Sequence, residues 1–421
     1  MALESLRARA VQRSPLASAE FRAVIAVSML IMFGFGLILP TLPLFAKRFG
    51  VGEAGIGLLL TVFAATRLAA DFVAGSLIDR FGERTMVSVG AAIVGLSSIA
   101  AGAAPNYAAL VVLRGLGGIG SAFFLGALMA HLVAIVPAQE RGRAMSIFQA
   151  VIGIGMLLGP LFGGLLAAAS VRSPLFAYGV ICLASAPLCL KAMHSGRAPA
   201  DALVDAPPLD DNVPAPTAPA WRRLRPLLRD SAYRAALLGS ATGFYVSGGF
   251  QTLLPGFWED ALGRSRSSVG VPFTVLALAS IAVVWHAGGL SDRRGRRFAL
   301  APALIVTAVV SGVIGWIDTA AFLVVAMAVL GIASGYARPG PTSIVADVAP
   351  PDARGVAVAG YRTSADIGAL VGPIVVGVVA QQFGYRPAFI AIGAFAAVAF
   401  FVTLAARETA PSQKTAAPVR V

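Results

Sequence analysis

The chain reads as an all-α membrane protein, with twelve transmembrane helices in two pseudo-symmetric six-helix bundles. Three observations predict this fold: a surplus of apolar side chains, an internal repeat, and a one-sided distribution of positive charge. Of its 421 residues, 57% are hydrophobic and 13% charged, with a mean hydropathy of +0.82. A water-soluble core of that length has no room for so much apolar side chain, so lipid must solvate the rest.

A spanning helix takes about 20 apolar residues. Twelve such stretches begin near Ala23, Ala54, Met86, Tyr107, Ala144, Pro174, Arg234, Ser268, Phe298, Thr319, Gly355 and Arg386. None alternates polar and apolar residues as the strands of a lipid-facing barrel do, which leaves helices as the spanning structure. The 46 Gly and 26 Pro fit membrane helices, where small residues allow close packing and neighbours satisfy freed backbone groups.

The repeat has an offset of 213. Gly75, Leu77, Asp79, Arg80, Gly82 and Arg84 fall on Gly288, Leu290, Asp292, Arg293, Gly295 and Arg297; Pro137, Arg141 and Gly142 fall on Pro350, Arg354 and Gly355. Gly155, Gly159, Pro160 and Gly164 then fall on Gly368, Gly372, Pro373 and Gly377. Six spans per copy give both copies the same orientation, related by an axis along the membrane normal. The expected boundaries are 1–193 for the first bundle, 194–233 for a linker and 234–421 for the second bundle.

A net charge of +13 raises the question of nucleic acid, and the placement of the cations answers it. With the N-terminus inside, only Lys47, Arg48, Arg172, Arg264, Arg266 and Arg386 fall in outer loops, and Arg67, Arg114, Arg338 and Arg362 lie within spans; the other 23 of the 33 Lys and Arg are inner. That is the positive-inside pattern, which puts both termini in the cytoplasm and makes anionic lipid a better neighbour than nucleic acid. The linker is rich in Pro, Ala and Asp and is expected to be semi-rigid and solvated. Its basic end, with Trp221, Leu224, Leu227 and Leu228 among four arginines, is read either as a short helix on the inner membrane surface or as coil. The tail after Arg407 is expected to lack order. Cys182 and Cys189 share the sixth span, about 10 Å apart by helical rise, too far for a disulfide. The segment through Arg22 lacks a short apolar core with a cleavage site, so the first span is expected to remain as an anchor.

The loop after the second span, Gly75-Ser-Leu-Ile-Asp79-Arg80-Phe-Gly82-Glu83-Arg84, resembles the inter-span signature of the major facilitator superfamily, and Gly288 to Arg297 repeats it. The resemblance implies a cytoplasmic latch, with Gly75, Asp79, Arg80, Gly82 and Arg84 in one copy and Asp292, Arg293 and Arg297 in the other. Asp79 would sit at the positive N-terminal end of the eleventh span, and Arg80, Glu83, Arg84, Glu140 and Arg141 would form a charge network. The family's acidic residue at the inner end of the fourth span is Ala134 here, although Asp347 is kept in the second half, so the first network is expected to be weaker. Gly155, Gly159, Pro160 and Gly164 on the fifth span resemble the "antiporter" signature of the drug:proton exporters, read either as a mobile kink or as a packing groove. Arg114 lies in a stretch that matches another family signature, with Gly117 where Gln is common. The resemblance implies that it assists proton coupling, and its repeat partner is Met327.

An ionisable group in mid-membrane costs about 2.5–3.5 kcal/mol on insertion scales and generally faces a partner or water. Of the 20 acidic residues only Asp71 and Asp366 lie deep in spans, each four residues after an arginine, Arg67 and Arg362. In the family those two spans lie side by side and run in opposite directions. Counted at 1.5 Å per residue, Asp71 and Arg362 are then about 10–12 Å deep and Arg67 and Asp366 about 17–18 Å deep. The four are read as an ion-pair cluster, either a proton-operated switch or a static clamp. Arg338, beside Pro339-Gly340-Pro341 on the tenth span, and Tyr336 are candidate contacts for an anionic or polar cargo group, or members of an internal ion pair or kink. Phe35, Phe124, Tyr245 and Gln251 are further candidates for an apolar pocket, with core packing as the alternative.

No metal ligand spacing, phosphate loop or nucleophile motif is present, which excludes the common hydrolase and ATPase readings. The expectation is a monomeric transporter in a bacterial-type inner membrane that uses no cofactor and draws on the proton gradient. Its partners would be protons, membrane lipids and a small-molecule substrate. Efflux of small amphipathic compounds by alternating access is the first reading; sugar or organic acid uptake, and a non-transporting sensor on the same fold, are the alternatives.

Overall fold

A computed structural model describes residues 18–136, 140–193, 220–350 and 353–409, apart from the side chains of 141, 142, 220, 221 and 292. The chain is helical throughout these segments. In order they are α1 (Ala19–Ile38), α2 (Leu42–Lys47), α3 (Glu53–Phe81), α4 (Glu83–Gly102), α5 (Tyr107–Ile135), α6 (Arg141–Ala169) and α7 (Ser173–Ala192), followed by α8 (Ala220–Arg229) and α9 (Ser231–Gly256). After a π-helical turn at Phe257–Ala261 come α10 (Gly270–Arg294), α11 (Arg296–Val313), α12 (Ala320–Ala337), α13 (Pro339–Val348), α14 (Arg354–Phe383) and α15 (Tyr385–Ala405).

Among the described residues, eleven helices are long and apolar enough to cross a membrane, with α12 and α13 taken together. The seventh expected span, α9, is present as a 26-residue helix but is not one of the eleven. Arg234, Ser240, Thr242, Ser247, Gln251 and Thr252 make it more polar than its neighbours. Local chemistry explains the helix ends. Ser18 and Asn106 cap α1 and α5 by accepting the N–H groups of Phe21 and Ala109, which would otherwise lack partners. Gly82 divides α3 from α4 at φ 81°, and its repeat partner Gly295 divides α10 from α11 at φ 113°. Both turns use backbone that side chains with a Cβ rarely adopt, so the repeat preserved a conformational requirement there.

The chain forms two compact units. The first holds the described parts of 1–213 together with 254–274; the second holds those of 214–253 and 275–421. In the first, α6 presses on α1 nearly backbone to backbone. A Cβ at Gly159 would stand 2.5 Å from the Cα of Gly36, and one at Gly155 would stand 2.8 Å from the carbonyl oxygen of Met29. The second unit repeats this between α14 and α9, where Cβ atoms at Gly368 and Gly372 would meet the carbonyl oxygens of Ala241 and Tyr245 at 2.2 and 2.6 Å. Glycines four apart share a helix face, so one pattern produced the same contact twice. A core cluster of the second unit gathers Leu227, Tyr233, Leu300, Ile344, Ala357 and Ala399.

Of the expected linker, 194–219 lies outside the described residues, as does the tail from 410. Its basic end is the helix α8, whose Leu224 and Leu227 pack on the second unit's own core.

Gly159→Ala is expected to destabilise the protein by about 1–3 kcal/mol, because the added methyl meets backbone that cannot yield. A thermal melt of the purified variant, followed by intrinsic fluorescence, checks this.

Candidate functional site

The most constrained charge in the first unit is Arg114. α5 carries it into contact with α3, where its guanidinium carbon stands 4.5 Å from the centre of the Phe63 ring. Phe63 lies 5.9 Å from Phe35, which lies 6.3 Å edge-to-face from Tyr178. The arginine is 3% exposed. Its Nε has no hydrogen-bond partner, and no carboxylate pairs with it among the described residues. A desolvated cation–π contact contributes roughly 2 kcal/mol, which offsets most of the 2.5–3.5 kcal/mol that a mid-membrane arginine costs on insertion scales. Phe35 and Arg114 thus belong to one constellation, completed by Phe63 and Tyr178, which sequence reasoning did not single out. Only the fold brings these four helices together.

Of the other in-span charges, Arg67 and Asp71 lie on α3 in the first unit, Arg67 half-buried and Asp71 exposed. Arg67 Nε has no hydrogen-bond partner. Arg362 and Asp366 lie on α14 in the second unit, exposed and half-buried respectively. His131, 3% exposed, has its Nε2 3.0 Å from Glu20 Oε1. No sequence signal linked these two, since 111 residues separate them.

The tenth span is interrupted where Arg338 meets two prolines. Arg338 keeps helical dihedrals, φ −60° and ψ −50°, so direction persists while hydrogen bonds are lost. Pro339 and Pro341 have no N–H for the carbonyls of Gly335 and Ala337. The Arg338 side chain is exposed and has no partner among the described residues. Beside it in sequence, the hydroxyl of Tyr336 lies 2.6 Å from His286 Nδ1. Of the remaining pocket candidates, Phe124 is 2% exposed and Tyr245 3%. Tyr245 stacks on Phe395 at 4.2 Å, and Gln251 is half-buried and donates to Ser247 Oγ at 3.1 Å.

The latch motifs differ between the copies. In the first, Gly75 and Asp79 are exposed at the end of α3, and Arg80 stacks on Phe81. Arg84 is half-buried with its Nε unpartnered. Among the described residues neither arginine has a carboxylate partner. In the second, Arg296 pairs with Asp347 at 3.2 Å. The repeat positions of that pair are Glu83 and Ala134, where no such bond can form. Glu408 accepts the N–H groups of Arg296 and Arg297 at 2.8 and 3.1 Å, placing an anion at the positive end of α11. Arg297 also donates to the Ala406 carbonyl at 3.1 Å. Arg293 is exposed, and the side chains of Asp292 and Arg141 lie outside the described residues.

This two-unit helical architecture compares with known proteins as follows. The sequence profile of the Major Facilitator Superfamily matches residues 24–320 and 235–420. The chain belongs to the Major Facilitator Superfamily. Among the chain's relatives is Multidrug resistance protein 2 of Bacillus subtilis (strain 168), 34% identical over 153 residues, covering 36% of this chain and 38% of the relative. Quinolone resistance protein NorA of Staphylococcus aureus (strain Mu50 / ATCC 700699) is 25% identical over 168 residues, covering 40% and 43%. The matched region therefore spans about two fifths of these relatives. The fold resembles a bacterial homolog of the human lysosomal transporter Spinster in an inward-facing, unoccupied conformation, with TM-score 0.77 and 16% identity over 91% of this chain and 96% of that one. It also resembles the human organic anion transporter MFSD10, with TM-score 0.63 and 17% identity over 91% and 99%. The protein is a multi-pass membrane protein.

At the other end of the first unit from the latch motif, Lys47 pairs with Glu53 at 3.2 Å and with Asp260 of the segment 254–274. The glycines of α6 hold the same segment. A Cβ at Gly164 would stand 2.7 Å from the Ser267 carbonyl oxygen, and one at Gly270 would overlap the carbonyl of Pro160. Burial alone would lower the Lys47 ammonium, but its bond to Asp260 and the charges of Glu53 and Asp260 hold it above its ordinary 10.5. A raised lysine contributes stability that is fully present below pH 10.5 and is lost as pH rises through the folded value.

Two outcomes follow from this geometry. Lys47→Met is expected to remove the part of the alkaline loss of thermal stability that develops above about pH 10.5, measured by melts across a pH series. Arg114→Met is expected to melt at or above the wild-type temperature, since replacing an unpaired buried charge with an apolar chain of similar length is often neutral or stabilising by about 1–4 kcal/mol. A large loss of stability in that variant would show that an unseen partner compensates the arginine.

Proposed function

We propose that the protein is a proton-coupled secondary transporter that exports small amphipathic compounds from a bacterial-type cell by alternating access. The observation that carries this reading is the glycine face of α6. Gly155, Gly159 and Gly164 lie against the backbones of α1 and of the segment 254–274, with Pro160 interrupting the helix between them. Close backbone contact beside a proline inside the helix suits two elements that must shift against each other. It is the stretch that resembles the antiporter signature, and two relatives bear the names of drug resistance proteins.

Energy would come from the proton gradient, without a cofactor. Asp71 and Asp366 are the acidic residues deepest in the expected spans, and each follows an arginine by four residues. In this reading Asp71 with Arg362, and Arg67 with Asp366, hold the halves together until a carboxylate takes up a proton. Arg114, caged by aromatic rings, keeps a fixed positive potential nearby. Arg338, unpartnered and exposed, would contact a polar or anionic group of the cargo. The positive-inside pattern supports a cytoplasmic location for both termini, and a monomer suffices because both repeats lie in one chain.

The test is flux and proton counting in reconstituted vesicles with an imposed pH gradient. Export driven by inward proton movement is expected, with proton uptake on purified protein reduced in Asp71→Asn or Asp366→Asn. Uptake in the same direction as protons would replace this reading with a symporter for sugars or organic acids. Unchanged proton stoichiometry in both variants would reduce the four charges to a static clamp.

A further inference from the structure

We propose that the arginine stripe of α8 is a binding site for anionic phospholipid headgroups at the inner membrane surface. The inference rests on the orientation proposed above, in which α8 faces the cytoplasm. α8 carries Arg222, Arg223, Arg225 and Arg229 and no acidic residue in its ten positions. Spacings of three and four set Arg222, Arg225 and Arg229 along one face of the helix, with Leu224 and Leu227 on the other. All three arginines of the stripe are exposed. Among the described residues Arg225 and Arg229 have no side-chain partner, while Arg222 and Arg223 have contacts of their own.

The apolar face does not need lipid, because it is already seated on protein. Leu227 is 6% exposed in the core formed with Tyr233, Ala353 and Ala357, and Leu224 packs against the same core. The seat is specific. Tyr233 donates its hydroxyl to the Ala357 carbonyl of α14 at 2.9 Å. A Cβ at Gly360 would stand 2.5 Å from that hydroxyl and 3.4 Å from Leu224. α8 is therefore a fixed foot on the first turns of α14, holding its basic stripe outward.

The stripe is level with headgroups. Only Asp230 separates Arg229 from α9, the next expected span. That carboxylate does not neutralise the stripe: the bond from Arg407 holds it below its ordinary range, and it also accepts the Ala232 N–H at 2.8 Å. Leu228, 43% exposed, flanks the arginines and gives the surface the mixed apolar and cationic character that suits the boundary between headgroup and acyl chain. A free phosphate would satisfy the charges and leave Leu228 in water. The linker aspartates Asp201, Asp205, Asp210 and Asp211 are the competing occupant within the chain.

The test is a thermal-shift titration of the purified full-length protein in detergent with short-chain phosphatidylglycerol, short-chain phosphatidylcholine and inorganic phosphate. Phosphatidylglycerol is expected to raise the melting temperature and the other two to leave it unchanged. In Arg225→Gln/Arg229→Gln, whose sites are exposed and outside the core, the apparent affinity for phosphatidylglycerol should fall by roughly 30-fold. Three results would overturn the proposal: a phosphatidylglycerol shift undiminished in the double variant, the same shift from phosphate alone, or a shift that appears only when the four linker aspartates are changed to Asn. Because the readout is binding, it stays decisive whatever cargo the protein moves and in whichever direction.

Discussion

Lipid offers no partner to a peptide N–H or C=O and no hydrophobic drive between helices. Close backbone approach therefore has to supply the cohesion that burial from water supplies in a soluble core. In this chain the approach is made at glycines: Gly36 against Gly159 in one unit, Gly372 against Tyr245 in the other. The same contacts tolerate Pro160 and Pro373 inside long helices, because a lost backbone bond matters less where a neighbouring backbone is within van der Waals distance. A surface of this kind resists a single added methyl.

Charge in this solvent is handled in three distinct ways. Arg114 is sealed from solvent and compensated by ring faces. His131 and Glu20 pair within hydrogen-bond distance, so a buried ring nitrogen is matched by a specific partner. Arg338 is left exposed next to two carbonyls freed by proline. His131 has a specific partner and Arg114 keeps an unpartnered Nε beneath ring faces, whereas Arg338 leaves a cation available, which is why it is the position proposed for cargo contact.

The two copies keep the glycine contact of α6 on α1 and differ at several charges. Gly155 and Gly159 keep both their identity and their contacts in Gly368 and Gly372. Arg114, by contrast, corresponds to Met327, which is fully buried and carries no charge. Arg296 and Asp347 correspond to Glu83 and Ala134, so that salt bridge of the second unit has no counterpart at the repeat positions of the first.

Hydropathy, the 213-residue offset and the placement of lysine and arginine were enough to determine from sequence alone that the chain is a duplicated bundle of membrane helices. Each is a local or periodic property that survives without knowledge of contacts. The glycine pattern of the fifth span and the proline break after Arg338 were legible for the same reason, since both act on the helix that carries them. The partners of the buried groups were not legible: Phe63 and Tyr178 around Arg114, Glu20 beside His131, Asp260 on Lys47 and Glu408 on the first turn of α11. These are pairings between residues tens to hundreds of positions apart. Only the tertiary structure could decide them, because in a low-dielectric interior a group's partner is set by which helix faces it.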